Sequence, residues 1–304
     1  MRVFVTGASG HIGSALVPEL LSAGHEVVGL ARSDPSAAAL TAAGAVVRRG
    51  DLDDLRGLQE AAAAADSVIH LAFKHDLSFT GDFVGAAAAD LRAVEAIGAA
   101  LEGSHKPFVG TSGTLLLARA AAGRVGTEQD RLDGGPRVDS ENAVIAMAAR
   151  GVRSSVIRLA PTVHSALDHH GFVPTLIAMA RKNGVAAYVG EGSNRWPAVH
   201  TLDAARLYRL ALEAAPAGSR LHGAADEGVP FREIAEAIGR GLGVPAVSIT
   251  AADAPQHLGF LASFAQLDNP TSSAQTRTLL GWRPREPGLL ADLAERHYFE
   301  PDAR

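Results

Sequence analysis

The chain has no cysteine among its 304 residues, which excludes disulfides, thiolate nucleophiles, and zinc or iron–sulfur centres held by sulfur. Lysine is nearly as scarce, with Lys74, Lys106 and Lys182 the three lysines among 28 basic residues. Tyrosine also numbers three, and aromatic residues make up 5% of the chain. No stretch gathers arginine and lysine into the stripe that a phosphate backbone requires, and the formal net charge is -5, so nucleic acid is not an expected partner. No uncharged apolar run approaches the ~18 residues of a membrane span, so no membrane association is expected. Met1 runs directly into an apolar segment and a glycine-rich turn, leaving no room for a signal peptide and predicting a cytoplasmic location.

What is present is an ordinary globular composition, 47% hydrophobic and 20% charged, in a chain long enough for one large α/β domain or a domain plus a smaller lobe. Up to about residue 160, short β-branched runs alternate with longer alanine- and leucine-rich stretches. That rhythm predicts repeated βαβ units and a doubly wound parallel sheet of the Rossmann type. Strands are expected at 2–6, 25–30, 45–49, 67–71, 107–111 and 155–159, with helices between them. Beyond Leu159 prolines punctuate longer loops, and helices are expected at 173–182, 203–213, 231–242 and 254–267. This reads as a smaller C-terminal α/β substrate lobe over 161–304, partly interleaved with a dinucleotide-binding domain over 1–160, because 203–223 could return to the main sheet.

The chemistry starts at Thr6-Gly7-Ala8-Ser9-Gly10-His11-Ile12-Gly13, set between the first strand and the first helix. Gly7 permits a tight turn, Gly10 lets backbone N–H groups approach a pyrophosphate, and Gly13 lets the helix pack closely on the strand. The helix N-terminus then offers unpaired donors and a positive dipole end to the anion. The expected cofactor contacts from this loop are Gly7, Ser9, Gly10, His11, Ile12 and Gly13. An NAD-binding chain would carry an acid about 20 positions further on to grip the ribose 2′-hydroxyl. This one reads Val-Val-Gly-Leu-Ala-Arg-Ser there, so Arg32 and Ser33 are expected to hold a 2′-phosphate, predicting a preference for NADP(H), with NAD(H) still able to bind.

Four further segments carry a recognisable form: Gly50-Asp51-Leu52, Ile69-His70-Leu71-Ala72-Phe73, Val109-Gly110-Thr111-Ser112-Gly113 and Ile157-Arg158-Leu159-Ala160-Pro161-Thr162-Val163. Together with the TGxxGxxG loop they resemble the short-chain dehydrogenase/reductase superfamily across essentially the whole chain, specifically its extended and atypical, epimerase/dehydratase-like members. The resemblance implies adenine contacts from Asp51 and Leu52. It also implies cofactor contacts from Leu71, Ala72 and Phe73, nicotinamide contacts from Pro161 and Val163, and a substrate-side hydroxyl at Ser112.

One departure matters. Active members of that superfamily use a Tyr-x-x-x-Lys pair, in which the ammonium lowers the tyrosine pKa. Here the residues four after Tyr188, Tyr208 and Tyr298 are Gly192, Leu212 and Asp302. Family spacing puts Asp133 and Arg137 at the two positions, or Arg137 and Glu141 with a shift of four.

Replacement groups are sought on loops after the strand ends. Ser112 is the first candidate and His75 the second, since an imidazole exchanges protons near neutrality. His164, His170, Phe172 and Trp196 are expected to border the substrate pocket, the two aromatics suggesting an apolar or aromatic substrate. The histidines at 164–170 and 200 lack HxxxH or HExxH spacing, so no metal is expected. These features predict an NADP(H)-dependent oxidoreductase acting on a small carbonyl or alcohol, as a monomer or homodimer. A non-catalytic NADP-binding sensor, and an epimerase, lyase or isomerase, are the alternatives.

Overall fold

A computed structural model of the chain describes residues 1–79 and 81–300. Its strands are β1 (Arg2–Thr6), β2 (Glu26–Ala31), β3 (Val46–Arg49), β4 (Ser67–His70), β5 (Pro107–Gly113), β6 (Arg153–Leu159), β7 (Thr162–His164), β8 (Ala186–Val189), β9 (Arg195–His200), β10 (Ser219–Gly223), β11 (Asp226–Pro230) and β12 (Ala246–Ile249). Seven of them form one sheet in the order β10-β6-β5-β4-β1-β2-β3, and every pairing in it is parallel. The Rossmann-type sheet expected from the alternating pattern is therefore what the chain forms. Strand order reverses beside β1, which opens the crevice where such sheets bind ligands.

Both faces of this sheet are covered, so its strands are apolar at successive positions rather than alternately. Val3 and Val5 of β1 face the helices His11–Ser22 and Thr201–Ala214, where Leu16, Leu20, Leu207 and Leu212 close one core. Phe4 faces the opposite side, against Leu58, Val94, Ile97 and Val144 from the helices Leu55–Ala64, Phe83–Leu101 and Val138–Ala146. A third core, built on Trp196, Phe231, Val173, Ile177 and Ile234, lies under the small sheets β11-β9-β7 and β12-β8. The chain crosses into this second region after β6, returns with the helix Thr201–Ala214 and with β10, which pairs with β6 in the register Leu221↔Ile157, and returns again near its end, where Trp282 joins the first core.

One local expectation differs. The helix expected over 254–267 stops at Leu258 and continues as two 3-10 turns. Gly259 adopts φ +54°, and Met179 packs 2.4 Å from where a β-carbon would sit, so the break is built in. The helix expected between the second and third strands forms at Asp34–Ala42, although its alanine-rich sequence has little apolar contrast between faces. It starts on the Ser33 cap with Pro35 in the first turn.

Candidate functional site

The glycine loop leaves β1 at Thr6 and turns at Gly7, which has φ +69°. A β-carbon on Gly7 would lie 2.7 Å from the Ala72 backbone nitrogen, so the loop after β4 packs directly on this turn. On Gly13 a β-carbon would lie 2.2 Å from the Gly7 carbonyl oxygen and 2.5 Å from that of Ala8. Gly10 N donates to Gly7 O at 3.0 Å, and Gly10 caps the helix without any side-chain hydrogen bond. The first-turn donors of His11–Ser22 are thus left to an incoming anion, in a cradle that only glycine can form. These residues fit the diphosphate of a dinucleotide.

At the β2 end, Arg32 is largely exposed and its Nη1 lies 3.3 Å from Asp76 Oδ2. Ser33 Oγ accepts from Ser36 N at 3.3 Å as a helix cap, while its carbonyl accepts from Arg49 Nη1 at 2.6 Å. Asp51 Oδ1 accepts from the Asp53 and Asp54 backbone nitrogens, and Leu52 is buried beneath that turn. Lys74 is paired with Asp53. Arg32, Arg49 and Lys74 thus share this rim with Asp51, Asp53 and Asp76.

A buried polar line runs from the glycine loop toward the β5 end. Thr6 Oγ1 meets His70 Nδ1 at 2.8 Å, His70 Nε2 meets Asp90 Oδ1 at 3.1 Å, and Asp90 Oδ2 lies 2.9 Å from Arg137 Nη1. Burial pushes Asp90 up, but Arg137 and His70 outweigh it and hold the carboxyl below its usual range. Arg137 also donates to Thr111 O at 3.0 Å and lies 4.3 Å from the Phe73 ring centroid. Its φ of +68° is unusual for a residue with a side chain, so these contacts hold the backbone in a conformation it does not favour. His75 packs edge-on against the same Phe73 ring at 5.2 Å. Burial and the Arg137 charge pull His75 below the ordinary imidazole value, keeping it neutral at pH 7.

Ser112 is 4% exposed and donates to Glu141 Oε2 at 2.7 Å. Glu141 also accepts from Arg158 Nε at 3.0 Å and Nη2 at 2.5 Å, and from Arg220 Nε at 2.9 Å. The Ser112 hydroxyl proton is committed to this network. Tyr208 is fully buried with its hydroxyl 2.7 Å from Thr111 Oγ1, and the Tyr298 hydroxyl accepts from Ser165 N at 3.0 Å. Burial pushes both phenols above their ordinary value.

Leu71, Ala72, Pro161 and Val163 are half-buried. His164 is buried with Nδ1 2.8 Å from Asp292 Oδ2, whereas His170 is exposed. Trp196 is completely buried against Phe231, with ring centroids 4.9 Å apart, so Phe172, 5.7 Å away, is the half-buried member of the aromatic pair. Among the described residues, no three His, Asp or Glu side chains converge in a group that could hold a metal ion. No helix among them is long and apolar enough to cross a membrane.

The partners Asp90 and Asp292 were not anticipated. A lone carboxylate in the run Ala86-Ala87-Ala88-Ala89-Asp90 is the available signal for the first, since an acid on a buried alanine face demands a counter-charge. Nothing comparable marks the second.

The model of the NAD dependent epimerase/dehydratase family matches residues 3–123. An uncharacterised protein of Schizosaccharomyces pombe is 48% identical over 98% of this chain and all of its own length. The chain belongs to the NAD dependent epimerase/dehydratase family. A 2-alkyl-3-oxoalkanoate reductase of Stenotrophomonas maltophilia is 27% identical, across 81% of this chain and 77% of the reductase. The structure of MoeE5 in complex with UDP-glucose and NAD superposes with a TM-score of 0.75 at 23% identity, covering 98% of both chains. That likeness shows a shared fold, and the family to which the chain belongs is one of NAD-dependent epimerases and dehydratases.

Proposed function

We propose that the chain is an NADP(H)-preferring oxidoreductase that interconverts a small, apolar or aromatic carbonyl compound and its alcohol. The observation that carries this reading is the uncapped glycine cradle with Arg32 at the β2 end, where an NAD-preferring site would place an acid. Bound there, a nicotinamide dinucleotide supplies hydride transfer. The loop's backbone N–H groups hold the diphosphate, Asp51 and Leu52 border the adenine, and Arg32 with Ser33 holds the 2′-phosphate. The Arg32–Asp76 pair is exposed, so exchanging it for a phosphate costs at most ~1 kcal/mol.

Arg137 is always protonated and anchored on three sides, so it stabilises negative charge on the substrate oxygen and does not donate a proton. His75, neutral at pH 7, takes the proton from the alcohol in the oxidative direction. Ser112 positions the β5 end through Glu141, and Phe172 provides an apolar wall. The name of the Stenotrophomonas relative supports a reductase over other chemistries. A panel of aliphatic and aromatic ketones, assayed for NADPH consumption, tests the reading; inactivity across the whole panel contradicts it.

A sensor that binds NADP without turnover is favoured by one observation, that Tyr208 is fully buried and the Tyr298 hydroxyl is already engaged by Ser165 N. Dinucleotide binding with no turnover of any carbonyl or sugar nucleotide supports that alternative. Product formation without net NADPH change points instead to an epimerase, lyase or isomerase.

A further inference from the structure

Asp90 sits on the buried face of the helix Phe83–Leu101, where the residues one turn away, Ala86, Ala87, Ala93 and Val94, are all buried and apolar. It is 2% exposed itself, and an acid at such a position is costly unless it is partnered. Its Oδ1 accepts from His70 Nε2 at 3.1 Å, and its Oδ2 lies 2.9 Å from Arg137 Nη1. Arg137 has acids nearer in sequence, but they are engaged elsewhere. Asp139 Oδ1 accepts from Gly135 N, and Glu141 is held by Ser112, Arg158 and Arg220. Among the described residues, the carboxylate that answers the Arg137 charge is Asp90, on a different helix.

The contacts close into a ring. Thr111 Oγ1 donates to His70 O at 2.7 Å, and Thr111 O accepts from Arg137 Nη2 at 3.0 Å. His70, Asp90, Arg137 and Thr111 thus tie the ends of β4 and β5 together. A carboxylate oxygen only accepts, so His70 Nε2 carries the hydrogen, which leaves Nδ1 to accept from the Thr6 hydroxyl at 2.8 Å. Thr6 Oγ1 in turn accepts from Ala72 N at 3.3 Å, and Ala72 packs on the Gly7 turn. The glycine loop is therefore fastened to the ring through His70. One member of the Asp90–Arg137 pair is open: the Arg137 side chain is 15% exposed and that of Asp90 is 2% exposed. Of the five N–H donors of Arg137, Nη2 spends one on Thr111 O and Nη1 faces Asp90, so others remain for a ligand at the strand ends.

We propose that Asp90 is the positioning residue of Arg137: its buried charge holds the guanidinium at the β5 end, and His70, set by Thr6, holds the carboxylate in turn. This rests on reading Arg137 as the group that faces the substrate oxygen. The other two anchors, Thr111 O and the Phe73 ring, carry no net charge and do not by themselves keep a guanidinium from turning toward water. A carboxylate fixed behind it does, so the donors are already in place when negative charge develops on the substrate. Asp90 acts through Arg137 alone, being sealed beneath it on the alanine face.

The test is a double-mutant cycle in the full chain with Asp90→Asn, which keeps the shape and an acceptor for His70, and Arg137→Gln. In the parent, Asp90→Asn should lower kcat for ketone reduction about tenfold or more with KM for the ketone within about threefold. In the Arg137→Gln background it should change kcat by less than about twofold. An equal loss in both backgrounds, or a loss confined to KM, overturns the proposal. Thermal unfolding reads the same pair without turnover. Asp90→Asn should lower the melting temperature of the parent and raise that of Arg137→Gln, where it removes a buried carboxylate left without its counter-charge. A lowering in both backgrounds overturns the pairing. A third readout needs no variant: ring ¹⁵N shifts of the parent should show His70 protonated at Nε2 and bare at Nδ1. An Nδ1–H tautomer, or a cationic ring that claims the Asp90 charge for itself, overturns it. If the parent binds NADPH and reduces no ketone, the reading of Arg137 as facing a substrate oxygen fails, and the melting cycle and the His70 spectrum decide the pairing by themselves.

Discussion

Replacing Glu141 by glutamine removes one negative charge from a site where it balances two guanidinium groups. Glu141 and Arg158 have side chains 1% and 0% exposed, and Arg220 reaches the same carboxylate from β10. The substitution keeps the shape and leaves Arg158 buried without its counter-charge. Breaking a buried pair from one side costs ~3–5 kcal/mol, because the remaining charge stays desolvated. In a chain of this size each kcal/mol lowers the melting temperature by about 2–4 °C, so the variant should melt roughly 6–20 °C below the parent.

The pH dependence gives a second, independent reading. Burial pushes Glu141 up, but the hydrogen bond and charge of Arg158, with Ser112 and Arg220, hold it below its ordinary 4.5. A carboxyl depressed in the folded state contributes stability above its unfolded value and loses it as pH falls through its folded value. The gap between parent and variant should therefore be full at pH 7 and should narrow at pH 3–4. Urea unfolding followed by circular dichroism measures both quantities. A loss of under ~1 kcal/mol at pH 7, or a gap that widens in acid, refutes the account of this network.

Three further substitutions address the cradle and the chemistry. Gly13→Ala puts a β-carbon 2.2 Å from a backbone carbonyl that cannot retreat, so dinucleotide affinity should fall at least tenfold alongside a stability loss of about 1–3 kcal/mol; unchanged fluorescence titrations would show the loop to be looser than described. Arg137→Lys keeps the charge but not the planar fork, and should lower kcat about tenfold or more while leaving NADPH affinity within threefold; a pure KM effect would place Arg137 in binding instead. Because His75 is held below its ordinary 6.5, alcohol oxidation should proceed on its neutral form and decline as pH falls through that depressed value, and His75→Gln should lower the rate and flatten this limb. An acid limb that survives the substitution assigns it to another group.

Legibility followed local chemistry. Continuous apolar strands, the three glycines and their flanking elements are repeated statements of one topology, and the parallel sheet forms where they indicate. The short strands β7, β8, β9 and β11 were largely hidden, because their partners lie far along the chain and their three to six residues carry no clear alternation. The site divides similarly. Backbone groups of the glycine loop are specified by residue type at fixed spacing, since any side chain on Gly7 or Gly13 meets main-chain atoms. Side-chain partners depend on tertiary approach: Ser112 looks like an available hydroxyl until Glu141, 29 residues later, is seen to accept its proton. Arg137 was placed by family spacing at a catalytic position, yet its anchors on Asp90, Thr111 and Phe73 come from three separate elements. Trp196 read as a pocket residue because aromatics suit both pockets and cores, and burial decides which.

The central claim is that the cradle binds a nicotinamide dinucleotide and that Arg32 selects the phosphorylated one. Direct titration with NADPH and NADH, for the parent chain and for Arg32→Ala, tests it with no assumption about substrate. The account predicts tighter binding of NADPH by the parent and a preference reduced about tenfold in Arg32→Ala, the loss of one charge-assisted contact of ~1.5 kcal/mol. Equal or tighter binding of NADH by the parent contradicts the claim.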